Sequence, residues 1–157
     1  MPLPLTALTL GDATGVGPEV AVKALAGRDL RQTGRWLVVG QEAVLHEGMR
    51  VAGQTFPYEL VTGPEDLDHA AGSIGLLGVD GSSAPYPAGQ VSPQAGHAAA
   101  TALRGAMDLA LAGRVGAVVY APLNKEALHR SGLRFVDEIH LFASWLGCEE
   151  GFSEVNL

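Results

Sequence analysis

Short apolar runs that stop at a glycine-rich turn and lead into a helix-forming stretch recur along this chain of 157 residues, and no other feature restricts its fold as much. Leu5 to Leu10 (LTALTL) is a β-prone run ending at Gly11. Residues 11–18 (GDATGVGP) read as a loop, with Pro18 at a first helical position, where its missing N–H costs nothing. Glu19 then meets the positive end of the helix dipole, and the helix runs to about Ala26, with Gly27 as its stop. Trp36 to Val39 reads as a second buried strand, closed by Gly40 and followed by a helix through about Met49. A strand near Tyr58 to Val61 and another over Ser73 to Val79 follow. Asp80 to Ser92 is dense in turn formers and long for a connector, which marks it as a surface loop with room for a binding role.

The longest helical signal spans Pro93 to Ala112, where Ala95, Ala98, Ala99, Ala102, Leu103, Ala106, Met107 and Ala110 keep helical spacing. Small residues along that stripe allow close approach to a sheet or a second helix. Val115 to Tyr120 (VGAVVY) is a continuous apolar run of the kind a parallel sheet places at its centre. The loop Ala121–Lys125 precedes a short helix to about Ser131, a further helix covers Glu138 to Leu146, and Phe152 to Leu157 begins a strand. Such alternation implies an α/β fold, layered α/β/α with a mostly parallel sheet. The expected organisation is one α/β unit over residues 1–157. Because the chain stops inside an apparent strand, it is expected to be a portion of something longer.

Composition removes several classes. The apolar fraction of 47% excludes wholesale disorder. Ten Lys and Arg against 17 Asp and Glu give a formal charge of −7, the wrong sign for a sequence-independent grip on nucleic acid. The single Cys148 cannot form an internal disulfide, no zinc-finger spacing occurs, and no apolar run approaches the ~20 residues of a membrane helix. A protein of the cytoplasm, without nucleic-acid or membrane partners, is expected. The absence of a GxSxG elbow argues against a serine hydrolase.

Three loops bring chemistry-bearing residues together. The first holds Asp12, Thr14, Gly15 and Gly17; its glycines let backbone N–H groups approach an anion at a helix start, although it is neither a Walker A loop nor GxGxxG. A tight structural turn is the competing reading. The second offers Asn124 and Lys125 directly after a strand, able to bind a carboxylate or phosphate, or else to lie in solvent at a helix start. The third carries Asp137, Glu138, Ile139 and His140, where a histidine near acids can act as a general base or metal ligand, or Asp137 can simply cap a helix beside an exposed His140.

Read in order, these loops resemble the 4-hydroxythreonine-4-phosphate dehydrogenase family of vitamin B6 biosynthesis. GDATGVGPE at residues 11–19 is similar to its GDPxGIGPE-type loop, residues 89–113 to its Gly-rich segment and Ala-rich helix, and YAPLNKEALHRSG at 120–132 to its TAPINKEA-type loop. The resemblance implies an isocitrate/isopropylmalate-dehydrogenase-like fold. It also implies an NAD-dependent, divalent-metal-dependent (Zn, Mg or Co) oxidation of a hydroxy acid with decarboxylation, in a homodimer with sites between two lobes. The chain would be the N-terminal portion of such an enzyme, and the family's metal ligands would lie outside it, leaving none in this chain. An ungapped match puts Asp137, Glu138, Ile139 and His140 where the family has Gly-His-Thr-Glu, whose His and Thr contact substrate. A carboxylate and an alkyl group there disfavour an anionic substrate group, so a related but different substrate is expected. A non-catalytic anion-binding lobe, an inactive truncated fragment, and a metal-independent acyltransferase of related fold are the alternatives.

Overall fold

The computed structural model describes residues 3–80 and 85–147. Five parallel strands form one sheet: β1 (Leu5–Thr9), β2 (Arg35–Gly40), β3 (Glu59–Val61), β4 (Ile74–Gly78) and β5 (Ala117–Tyr120), in the order β3-β4-β2-β1-β5. β1 pairs with β2 from Leu5↔Arg35 to Thr9↔Val39, and with β5 from Thr6↔Ala117 to Thr9↔Tyr120. The helices are α1 (Gly17–Ala26), α2 (Arg28–Arg31), α3 (Glu42–Ala52), α4 (Pro93–Leu111), α5 (Lys125–Arg130) and α6 (Glu138–Leu146).

Side chains alternate across the pleat, so each strand feeds two cores. Leu8, Trp36, Val38 and Leu76 pack with Val22, Leu25, Leu45 and Met49 of α1 and α3. Leu5, Ala7, Leu37 and Val39 pack on the other face with Ala102, Ala106 and Leu109 of α4. The layering is therefore α/β/α, with the alanine stripe of α4 seated on the sheet as its spacing indicates.

Two details differ from the sequence-based expectation, and some expected features lie outside the described residues. Val115–Tyr120 is expected to be central, yet β5 begins at Ala117, pairs only with β1, and is an edge among the described residues, with Val119 45% and Tyr120 41% exposed. An apolar run signals burial but does not say which neighbour provides it. The chain also does not stop helix formation at Gly27; it restarts at once as the single-turn α2, with Gly27 extended between the two helices. The strand expected at Phe152–Leu157, Cys148, and part of the loop expected at Asp80–Ser92 lie outside the described residues. Among those described, no helix is long and apolar enough to cross a membrane.

Candidate functional site

The strand order reverses at β1: the chain first builds outward through β2, then returns to add β5 on the other side. In open α/β sheets the carboxyl ends of the strands flanking such a switch point form the crevice where ligands bind. Here that crevice is framed by residues 10–16 after β1 and 121–124 after β5. The two segments are locked together by backbone. Ala121 N–H donates to Thr9 O at 3.0 Å, and Asp12 N–H donates to Pro122 O at 2.9 Å. The contact demands glycine. Gly11 has φ +69°, and a Cβ on it would sit 2.4 Å from Pro122 O; a Cβ on Gly17 would sit 2.5 Å from Leu10 O.

Within the first loop, the side chains that look free in the sequence are engaged with each other. Thr14 donates its N–H to Asp12 Oδ1 at 3.1 Å, and its hydroxyl lies 3.0 Å from each Asp12 oxygen. Both residues are buried. Gly89 N–H donates to Thr14 O at 2.7 Å, so the loop before α4 closes over this turn. No ion pair reaches Asp12 among the described residues. Gly15 and Val16 remain exposed, while Gly17 and Pro18 at the start of α1 are buried; no side chain caps that helix, and Pro18 lacks an N–H.

The second and third loops meet through charge. Asn124 caps α5, its Oδ1 accepting from Ala127 N–H at 3.0 Å. Lys125 at the start of α5 places Nζ 3.1 Å from Glu138 Oε2 at the start of α6. Asp137 caps α6, its Oδ1 accepting from His140 N–H at 2.9 Å and lying 2.6 Å from the imidazole Nδ1. The backbone N–H of His140 first, then its ring, hold the Asp137 carboxyl below the usual carboxylate range, and Lys125 adds to the effect. Beside this cluster Tyr120, the last residue of β5, meets Phe142 of α6 edge-on at 5.3 Å between ring centroids.

The depressed Asp137 carboxyl makes a prediction with a definite sign. The cap is present at any pH above the unfolded carboxylate pKa of about 4. It is lost as pH falls through the lower folded value, because the folded state then takes up a proton it had excluded. Chemical shifts of residues 138–141 should stay helical at pH 5 and lose helical character on strong acidification; an Asp137→Asn variant should show a much weaker pH response. Equal responses from both proteins would remove Asp137 from the cap.

The structure thus brings Asp12, Thr14, Gly15 and Gly17 to Asn124 and Lys125 through the Gly11–Pro122 contact. It brings Asn124 and Lys125 to Asp137, Glu138 and His140 through the Lys125–Glu138 pair. Sequence reasoning did not single out Gly11, Pro122, Gly89, Tyr120 or Phe142. A glycine directly after a strand was the only available signal for Gly11, and nothing local marks the Tyr120–Phe142 contact. A cavity of about 790 Å³ lies away from these loops, between α4 and Trp145, with Arg104 and His97 in its wall. Among the described residues no group of three His, Cys, Asp or Glu is placed to hold a metal ion. With Asp137 on His140 and Glu138 on Lys125, these donors do not by themselves fit a divalent ion.

Comparison with known proteins gives a consistent result. The family described as "Pyridoxal phosphate biosynthetic protein PdxA" matches residues 32–156. A D-threonate 4-phosphate dehydrogenase from Bordetella bronchiseptica is 37% identical over 147 residues, covering 92% of this chain and 42% of the relative. The crystal structure of a 4-hydroxythreonine-4-phosphate dehydrogenase from Burkholderia phymatum aligns with a TM-score of 0.86 at 33% identity, covering 94% of this chain and 45% of that one. A terephthalate 1,2-cis-dihydrodiol dehydrogenase from Burkholderia xenovorans aligns at 0.70 and 26% identity, over 92% of this chain and 41% of that one. The chain spans less than half the length of the curated relatives it matches.

Proposed function

This chain belongs to the family of the pyridoxal phosphate biosynthetic protein PdxA, and from that premise we propose that it is the N-terminal portion of a two-lobed, homodimeric dehydrogenase oxidising a hydroxy acid. When bound, NAD would supply the hydride acceptor, and a divalent metal, held by residues outside this chain, would supply a Lewis acid for the oxidation and decarboxylation. The observation that carries the reading is the switch-point rim, whose loops occur in the family's order and are joined by Asp12 N–H to Pro122 O and Lys125 to Glu138. The solved relatives share this architecture and are named as dehydrogenases.

In this reading the chain's own residues bind and orient rather than transfer electrons. Lys125 faces the acid group of the substrate with its three N–H donors. Asn124 and Asp137 hold Lys125 and His140 in place by fixing the first turns of α5 and α6. The uncapped start of α1 offers N–H groups and the positive helix end to a second anionic or carbonyl oxygen.

The test is reduction of NAD by the enzyme containing this chain and its second lobe, with a divalent metal. The substrates are 4-hydroxythreonine 4-phosphate, D-threonate 4-phosphate and their unphosphorylated counterparts. Turnover with at least one and loss on chelation are expected; turnover with none refutes the reading, and NAD reduction that survives chelation removes the metal from it. Lys125→Ala should raise KM roughly 10- to 100-fold, the size of a lost charged hydrogen bond. Unchanged kinetics would return Lys125 to a purely structural pair.

A second reading is a non-catalytic anion-binding lobe, in which Lys125 and the start of α1, which no side chain caps, hold an anion without turnover. Calorimetry of the 157-residue protein against phosphate and acetate separates it from an inert fragment, which would give no heat with either.

A further inference from the structure

Resting on the hydroxy-acid reading above, we infer that the rim selects an unphosphorylated hydroxy acid with an apolar, ring-sized body over a phosphate ester. The first support is charge. Lys125 is the lysine or arginine that the three loops present at the rim, and Glu138 already lies 3.1 Å from its Nζ. Asp137 adds a second carboxylate one residue earlier, and His140 is turned toward it at 2.6 Å. Asp12 contributes a third, buried beside the Gly11–Pro122 contact; among the described residues its side chain takes hydrogen bonds from Thr14 and meets no cation.

A phosphate ester brings close to two negative charges and is held where several cations or a bidentate guanidinium converge. The rim offers the reverse: Glu138 and Asp137 stand beside one ammonium and one imidazole, with Asp12 buried in the neighbouring loop. A monocarboxylate meets a milder field. The ammonium carries three donors, so it can serve Glu138 and a substrate carboxylate together.

The second support is shape. Glu138 and Phe142 stand four residues apart on α6, so they are neighbours on one helix face. A carboxylate at Lys125 therefore has the Phe142 ring about one helical turn away. Tyr120 from the end of β5 packs edge-on against that ring at 5.3 Å, and remains 41% exposed. Ile139, half-buried beside Glu138, widens the same apolar wall. A ring-bearing acid held at Lys125 brings an apolar body to this side of α6, whereas a three-carbon acid brings almost none.

The experiment is calorimetric titration of the 157-residue protein with mandelate, lactate and 3-phosphoglycerate. These supply a ring-bearing hydroxy acid, the same acid group without the ring, and a phosphorylated hydroxy acid. Mandelate is expected to bind about tenfold more tightly than either of the others, the effect of one well-placed contact. Glu138→Gln keeps the shape and removes the charge, and should improve 3-phosphoglycerate binding about five- to tenfold and mandelate binding by a clearly smaller factor. Phe142→Leu should bring mandelate down to the level of lactate. Tighter binding of 3-phosphoglycerate than of mandelate, a ratio that Glu138→Gln does not move, or no binding of any of the three overturns the inference. If Phe142→Leu fails to fold, the isosteric Glu138→Gln still decides. No nicotinamide or metal takes part, so failure here leaves the dehydrogenase reading standing, and a dead dehydrogenase assay leaves these ratios readable.

Discussion

Gly11→Ala should cost this protein roughly 3–5 kcal/mol of stability, combining a left-handed residue that now carries a Cβ with a backbone clash that cannot relax locally. The new Cβ would lie 2.4 Å from Pro122 O, 2.6 Å from Ala121 O and 2.8 Å from Ala121 C. No flexible side-chain end is involved, so relief requires parting the carboxyl ends of β1 and β5. That movement breaks the Asp12 N–H to Pro122 O bond and opens the rim. For a chain of this length each kcal/mol moves Tm by about 2–4 °C, so a fall of about 10 °C is expected in thermal unfolding. A loss below about 1 kcal/mol would mean that the loops tolerate separation, well short of a true overpacking penalty.

The second large effect is a sign reversal inside one helix. Glycine in a helix interior is about 1 kcal/mol worse than alanine, so helix propensity alone says that Gly96→Ala and Gly105→Ala should both stabilise α4. At Gly105 a Cβ meets only Val39 Cγ1 at 3.7 Å and Val79 Cγ1 at 4.0 Å, which is ordinary contact. Gly105→Ala should therefore gain roughly 0.5–1 kcal/mol. At Gly96 a Cβ would lie 2.1 Å from Ala127 O and 2.4 Å from Ala127 C, the backbone of α5. Gly96→Ala should lose about 3 kcal/mol or more, because two packed helices must move apart. The displaced α5 carries Asn124 and Lys125, so the ion pair to Glu138 should be lost with it. Urea unfolding of the two variants side by side checks the reversal; two stabilised proteins would show that α5 is not seated where Gly96 puts it.

Most secondary structure was legible because it follows from local rules. Pro93 at the start of α4 with Ser92 accepting from Ala95 N–H, Asp137 capping α6, and the apolar runs of β1, β2 and β4 all act within a few residues. The expected bounds of α6, Glu138 to Leu146, are those observed. The rim was legible as a set of loops, since each glycine- or proline-marked bend directly follows a strand and parallel strands deliver their bends to one edge. What those loops do with their side chains was not legible. Asp12 and Thr14 appear as candidates for a ligand, yet they satisfy one another; Lys125 appears either free or ligand-bound, yet Glu138, thirteen positions later, is its partner.

Periodicity, capping residues and turn formers, each acting over a few neighbours, set which segments of this chain become strand or helix and in what order. Tertiary packing alone decided that β5 lies beside β1, at the edge of the sheet among the described residues, that Gly11 and Gly96 admit backbone where any side chain would intrude, and that Lys125 faces a carboxylate. Those outcomes depend on which distant segments occupy the same few ångströms, and neither charge pattern nor hydrophobic spacing along the chain encodes that distance.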